Sequence, residues 1–426
     1  MSALERMLDE FAAQATPAPA RLAAAQALRA GALPTRRDEN WRYANLRALE
    51  SVPRFAPAPP AAHHSALPRL PAALPGFTRL VLVDGRLHPE WPLPEMAQLA
   101  RLPFTAPLTS DSAASAFEAT GDGRMGLIAR MFAPAALSLR VRGNLALEII
   151  SFASVGAHAT YTDIAVELEP GVQLELVERQ LGDAPVTTAD RSITAFSCGN
   201  LQLLLGADAQ LVHTRLQQAP DNILLYDTAT ATLAERANYQ LRHIAAGGAS
   251  ARSTLQIRLA GRDATVAIRA LAAARGAQFA DAQFTVLHQA PGTRSDQLFR
   301  GIASERAHVA CTADVQVTPG APGARVLQSL RGLIDGKGAE VDLRPRLTIN
   351  TDDIQAAHGA TTGRLDEDLL FYLLSRGLAP EAARSLLKWA FLGEALSAVD
   401  PPALRRDAQL ASAARLGDAP AAELLQ

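Results

Sequence analysis

The feature that most constrains this chain is a phrase that recurs from about residue 135 to 347: a turn glycine, then apolar residues at every second position. GNLALEI, GVQLELV, GADAQLV and GRDATVAI all take this form. Leu137, Leu139 and Val141 alternate, then Leu145, Leu147 and Ile149, then Ile164, Val166 and Leu168 ahead of Pro170-Gly171, then Val172, Leu174 and Leu176. Successive side chains of a strand point to opposite faces, so each such run buries one face. Many short strands with no intervening helical period are compatible with a sandwich, a barrel or a parallel β-helix. The recurring turn-then-strand phrase favours the β-helix, in which a coil buries its side-chain row against the coils above and below. With about 20–30 residues per coil and about 4.8 Å between strands, the body would be roughly 40–50 Å long. Its ends would present unpaired backbone groups that something must cap.

Length and charge narrow the rest. The 426 residues exceed one ordinary core and suit two or three domains, or one elongated repetitive body with appendages. Basic and acidic residues nearly cancel at a formal net charge of -2, so no global field points to nucleic acid or an anionic membrane. Nearly every basic residue is Arg, with Lys only at Lys337 and Lys388. The two cysteines, Cys198 and Cys311, have no zinc-site spacing and are expected to be buried and reduced. No apolar run reaches the roughly 18 residues of a membrane span. The N-terminus lacks the basic start and uninterrupted apolar run of a secretory signal, so the expected location is the cytoplasm. GLIDGKG, at 332–338, is one residue short of a phosphate loop and has Gly338 where Ser or Thr would hold magnesium; a hairpin turn is the expected role.

The flanks divide accordingly. Residues 1–52 read as helical, with Leu4, Met7, Leu8 and Phe11 on one face of a first helix and a second helix ending at Gly31. Trp41 and Tyr43 read as core anchors of a small N-terminal domain. Seven prolines from Pro53 to Pro75, interspersed with Ala, His63 and His64, suit an extended linker over 53–75. A transition segment, 76–134, contains RLVLVDGRL, whose Asp84-Gly85 signals a hairpin turn. A β-core over 135–350 leads to a helical domain over 351–426. There a helix over 365–375 carries Asp366, Glu367 and Asp368 in its first turn and stops at Gly377. Pro380 opens a second helix with Leu386, Leu387, Ala390 and Phe391 as its apolar face and Trp389 to one side; a third covers 403–416.

One stretch, Asp352 to Gly377, holds a constellation that packing does not explain: two acids, the lone His358, and a small-residue turn from Gly359 to Gly363. An imidazole can ligate iron or zinc or carry a proton near neutral pH, and a turn histidine bonded to backbone is the structural alternative. Asp352 and Asp353 read as turn or capping acids first and interface groups second. A second block, HQAPGTRSDQLFRG from His288 to Gly301, offers no activated nucleophile, and hydrogen bonding between strands and coils is its expected role.

These segments, with DENWRY around Trp41 and AEVDLRPRLTI from Ala339 to Ile349, resemble the SufB and SufD family of iron-sulfur cluster assembly scaffolds. SufB proteins carry a cysteine two residues before the motif histidine; here that position is Ala356, which fits the SufD branch. The resemblance implies a right-handed parallel β-helix with helical flanks and no catalytic residue of its own. It implies pairing with SufB through the β-helix and binding of the SufC ATPase on the C-terminal helices, with Leu386, Leu387, Trp389 and Phe391 as candidate docking positions. Closure of two SufC subunits on ATP would be transmitted through those helices. His358 becomes a candidate metal ligand or proton relay at the SufB interface, with Asp352, Asp353, Gly359, Thr361 and Gly363 as candidate interface residues. No cofactor is expected on the isolated chain; a transient iron-sulfur cluster at the SufB interface and a reduced flavin in the complex follow from the resemblance, as does a homodimer in isolation. Two rivals are a SufB-type primary scaffold, which Ala356 and the scarcity of cysteine oppose, and a β-helix polysaccharide-active enzyme, for which 5% aromatic content supplies few sugar-stacking platforms.

Overall fold

The computed structural model describes residues 2–14, 17–57, 70–102, 123–154, 159–183 and 193–418. From residue 136 the chain alternates between two sheets. The first stacks β1 (Thr78–Val83), β5 (Leu145–Ala153), β7 (Gln173–Gly182), β9 (Gln210–Gln217), β11 (Asn238–Ala245), β13 (Thr265–Ala274), β15 (Arg294–Ser304), β17 (Ala324–Asp335) and β19 (Ile354–Gly363). The second stacks β4 (Ala136–Val141), β6 (Ala159–Leu168), β8 (Ala195–Leu205), β10 (Ile223–Leu233), β12 (Ser250–Leu259), β14 (Phe279–His288), β16 (His308–Val317) and β18 (Glu340–Ile349). All these neighbours pair in parallel; only the short β2 (Arg86–Leu87) on β1 and β3 (Leu99–Leu102) on β4 are antiparallel. The result is a parallel β-solenoid of about seven turns, with equivalent positions of later coils 26 (Leu224 and Ser250) to 32 (His308 and Glu340) residues apart.

The alternation read from the sequence is the packing observed. Leu201, Leu203 and Leu205 of β8 face inward into one continuous core with Leu211, Leu241, Ile257, Val286 and Val315. Each fully buried Leu, Ile or Val there is worth about 1.5–3 kcal/mol. Turns between coils leave little room: a Cβ on Gly261 would lie 2.0 Å from the Glu235 amide nitrogen. Asp84 and Gly85 take the positive φ values, 49° and 80°, that a tight hairpin demands.

Both sheets are covered on their outer faces. Helices α1 (Ala3–Ala12), α2 (Pro19–Gly31) and α3 (Arg124–Phe132) lie on the second sheet, where Met7, Phe11, Leu28 and Phe55 meet Tyr161, Phe196, Cys198 and Leu224. Trp41 therefore anchors no separate small domain. Its fully buried ring stacks on Tyr226 of β10 at 6.3 Å, and the Arg252 guanidinium lies 3.8 Å above its centroid. Helices α5 (Pro380–Leu396) and α6 (Pro402–Leu416) lie on the first sheet through Leu392, Leu396, Leu404 and Leu416 against Val177, Leu216, Leu271 and Ile302. Cys198 and Cys311 are buried free thiols. Among the described residues no helix is long and apolar enough to cross a membrane. His63 and His64 lie outside the described residues.

Two expectations need correction. The segment read as a turn, Gly359 to Gly363, is extended chain within β19, so strand pairing runs past residue 350 to Gly363. On α5 the buried face is Ala383, Ser385, Leu392, Ala395 and Leu396, while Leu386 and Ala390 are exposed and Leu387 and Phe391 half-buried. The helix is rotated because its anchor is the solenoid face rather than its helical neighbours. Trp41→Ala is expected to cost about 3–5 kcal/mol by emptying a fully buried aromatic site. Urea-unfolding midpoints measure this, and a loss below about 1 kcal/mol would show that the N-terminal helices do not lean on the stack.

Candidate functional site

The last coil is where the fold stops satisfying itself. Among the described residues β19 pairs only with β17, and β18 only with β16, so one edge of each has no strand neighbour. Register continues into this open end: Val326, Gln328, Leu330 and Gly332 sit opposite Ala356, His358, Ala360 and Thr362. Val326 and Leu330 belong to the solenoid core, so His358 stands on the inward row of the terminal strand, exposed because no coil lies over it. Ala356 shares that row. A cysteine two residues before the histidine would therefore share its face, which gives the sequence spacing a physical meaning.

Beneath His358, Gln328 is buried and its amide nitrogen donates to the Ala313 carbonyl at 2.9 Å, while its Oε1 has no partner among the described residues. Gly359, Thr361 and Gly363 alternate with these residues on the other face, and a Cβ on either glycine would meet nothing within 4 Å. Asp352 and Asp353 form the bend leading into β19, and the Asp353 carbonyl accepts the Gly323 N–H at 2.9 Å.

The helix after β19, α4 (Glu367–Ser375), is capped by Asp366, whose carboxylate accepts the Asp368 and Leu369 N–H groups at 2.9 and 3.0 Å. It buries none of its residues: Leu369, Phe371, Tyr372 and Leu374 are exposed, Phe371 by 72%, and Leu386 of α5 is exposed as well. Of the helical residues singled out in the sequence, Trp389 and Phe391 pack toward the first sheet instead. The patch on α4 had a visible signal, since LDEDLLFYLLS is apolar on more sides than one neighbour can cover. His288, in the second motif block, is buried between β14 and β15. The Thr293 hydroxyl donates to the Ala290 carbonyl at 3.0 Å, so it accepts the His288 Nδ1–H at 2.9 Å, and Nε2 accepts from the Ser295 hydroxyl at 2.9 Å. It is a coil-joining residue.

The family model described as "SUF system FeS cluster assembly, SufBD core domain" matches residues 151–391, more than half of the chain. The chain belongs to the SufBD family. It is SufD-like: it is 27% identical to the iron-sulfur cluster assembly protein SufD of Escherichia coli over 89% of this chain and 88% of that one. A SufBD family protein of Synechocystis is 25% identical over 89% of this chain and 86% of its own length. The iron-sulfur cluster assembly protein SufD of Bacillus subtilis is 44% identical over a 54-residue segment, 13% of this chain and 12% of that one.

This SufBD chain also carries a polar cluster within the solenoid that periodicity did not disclose. Glu178, His213, Arg215, Asp227 and His243 point inward from β7, β9, β10 and β11, all buried or nearly so. Glu178 accepts from His213 at 2.8 Å and pairs with Arg215 at 2.7 Å; His213 also bonds the Tyr239 hydroxyl at 2.9 Å. Burial alone would raise the Glu178 carboxyl, but Arg215 and His213 bring it down to about 2. Burial keeps His213 below its ordinary value, takes His243 to about 3 and takes His288 to about 4. The signal for this cluster lay in inward positions occupied by polar residues, as in LVHTRLQ and LRHIA.

These histidines fold neutral, with pKa values below their unfolded value of about 6.5. The unfolded chain takes up protons first, so stability is full above about pH 6.5 and falls as pH drops toward the folded values. Urea midpoints should decline from pH 7.5 to pH 5, and His243→Leu should flatten that decline because neither ring nitrogen has a partner among the described residues to lose. An unchanged slope in the variant would contradict the assignment.

Proposed function

We propose that this chain is a non-hydrolytic scaffold subunit of the SUF iron-sulfur machinery, pairing with a SufB-type partner through β18 and β19. The observation that carries the reading is the open last coil with His358 on its inward row. A partner strand added to each edge would complete two rows of backbone hydrogen bonds and continue the stack. Gly359 and Gly363, with open space where a Cβ would stand, let another backbone approach closely. His358 would supply one nitrogen to a nascent cluster, or move a proton beside it. One imidazole cannot hold a cluster alone, and Cys198 and Cys311 are buried thiols whose pKa burial pushes up. The remaining ligands therefore come from the partner, which favours this reading over a primary scaffold. Without that partner, the same edges suit pairing with a second copy.

A SufC-type ATPase would dock on α4. Its Leu369, Phe371 and Tyr372, with Leu386, are exposed apolar side chains that no other described residue covers. Motion there has a short route to His358. Helix α5 is tied to the stack by Lys388–Asp335 at 2.5 Å on β17 and by Arg300–Glu394 at 2.5 Å on β15, and β17 is the strand that holds β19.

The test is co-purification with the SufB and SufC proteins of the same genome, followed by native mass spectrometry. Phe371→Glu with Leu386→Glu should remove the ATPase and leave the SufB pair, because both positions are exposed. Deleting the helices after Ala379 is a poorer test, since it would uncover Val177, Leu216 and Ile302. His358→Ala should leave assembly intact and lower cluster delivery at least severalfold; delivery equal to the parent would refute its role.

A further inference from the structure

The terminal coils carry a second group of metal-ligating side chains, on the outer face of the second sheet. His308 opens β16, and Glu340 and Asp342 open β18, with His308 directly opposite Glu340 in the parallel register. One ligand atom from each residue lies within 4.8 Å of the other two. The spacing follows from the strand: residues i and i+2 of β18 share a face, and the imidazole rises between them from the neighbouring strand.

The histidine is held in place before any ion arrives. Its ring lies 4.2 Å from the Phe279 ring and edge-on to Tyr43 at 6.4 Å. Its Nε2–H donates to Asp342 at 2.6 Å, and its Nδ1 is 3.8 Å from Glu340. Nearby positive charge is committed elsewhere: the Arg344 guanidinium bonds Glu39 at 2.6 Å and lies over Tyr43. Glu340, 72% exposed at its side chain, faces no charged partner but His308 among the described residues. Two carboxylates therefore face one imidazole, and among the described residues no Arg or Lys pairs with either of them.

The geometry points to a binding site for a first-row divalent cation of the zinc class, held by His308, Glu340 and Asp342. One imidazole nitrogen and two carboxylate oxygens form a borderline donor set suited to zinc at about 2.0–2.2 Å, with water in the fourth position. The ion takes the place of the proton between His308 and Asp342. That proton moves to Nδ1, so the ring stays neutral, and the exposed Glu340 side chain turns in as third ligand. Bound metal clips β18 to β16 and stiffens the terminal edge of this sheet. The site is distinct from His358, which stands on the inward row of the opposite sheet.

Isothermal titration of the full-length, tag-free chain with zinc chloride tests this. The expected result is one site per chain, weakened at least tenfold by Glu340→Gln and by Asp342→Asn and lost in His308→Gln. Glu340→Gln alters an exposed side chain, so its effect does not depend on the fold. X-ray absorption of the zinc-loaded chain should show nitrogen and oxygen neighbours, including one imidazole. No stoichiometric binding, equal binding by Glu340→Gln and Asp342→Asn, or a sulfur neighbour would each overturn the assignment.

Discussion

No coil of this protein can satisfy its own backbone. Each strand completes its hydrogen bonds with the strand one turn away, and each inward row is buried only by the rows beside it. Everything else answers to that constraint. The stack must begin somewhere, and it begins with β1 folding back on β2 and with β3 reversing against β4. At the other end no such device is seen among the described residues: β18 and β19 end as open edges. An end left open in this way, with a histidine on its inward row, is what the proposed pairing with a second scaffold chain would continue.

The two outer faces show how the appendages serve the stack. The N-terminal helices and Trp41 seal the second sheet, and α5 and α6 seal the first, each through its own apolar cluster. Helix α4 is the exception. It follows β19 directly, buries none of its residues and is joined to the solenoid through α5. The least covered strand and the least covered helix are thus consecutive in the chain, so events at one can reach the other through a few residues. The polar cluster inside the middle coils is held by the ion pairs of Glu178, His213, Arg215 and Asp227, with His243 buried beside them, while the later coils return to Ala270, Ala272 and Phe299.

How much of this the sequence disclosed follows from what drives each element. The strands of the core were legible because burial imposes a period of two on Leu, Ile and Val. β19 was read as a turn because HGATTG has no apolar alternation; its extended form is imposed by the backbone bonds of β17, which leave no trace in side-chain pattern. The interior cluster broke the pattern in the other direction, with Glu178, Arg215 and His243 at positions where alternation calls for apolar residues. The apolar face of α5 was misplaced because a helix with leucines on several sides is oriented by what it packs on. His358 was recognised through its neighbours in sequence, and its inward register came only from the pairing with Gln328.

The most direct test of the account is backbone amide hydrogen exchange of the chain alone and mixed with the SufB protein of the same genome. The account predicts rapid exchange at 340–349 and 354–363 in the chain alone, and strong protection of both segments in the mixture. Formation of the complex with exchange at those two strands unchanged would contradict the claim that the open end of the solenoid is where this protein works.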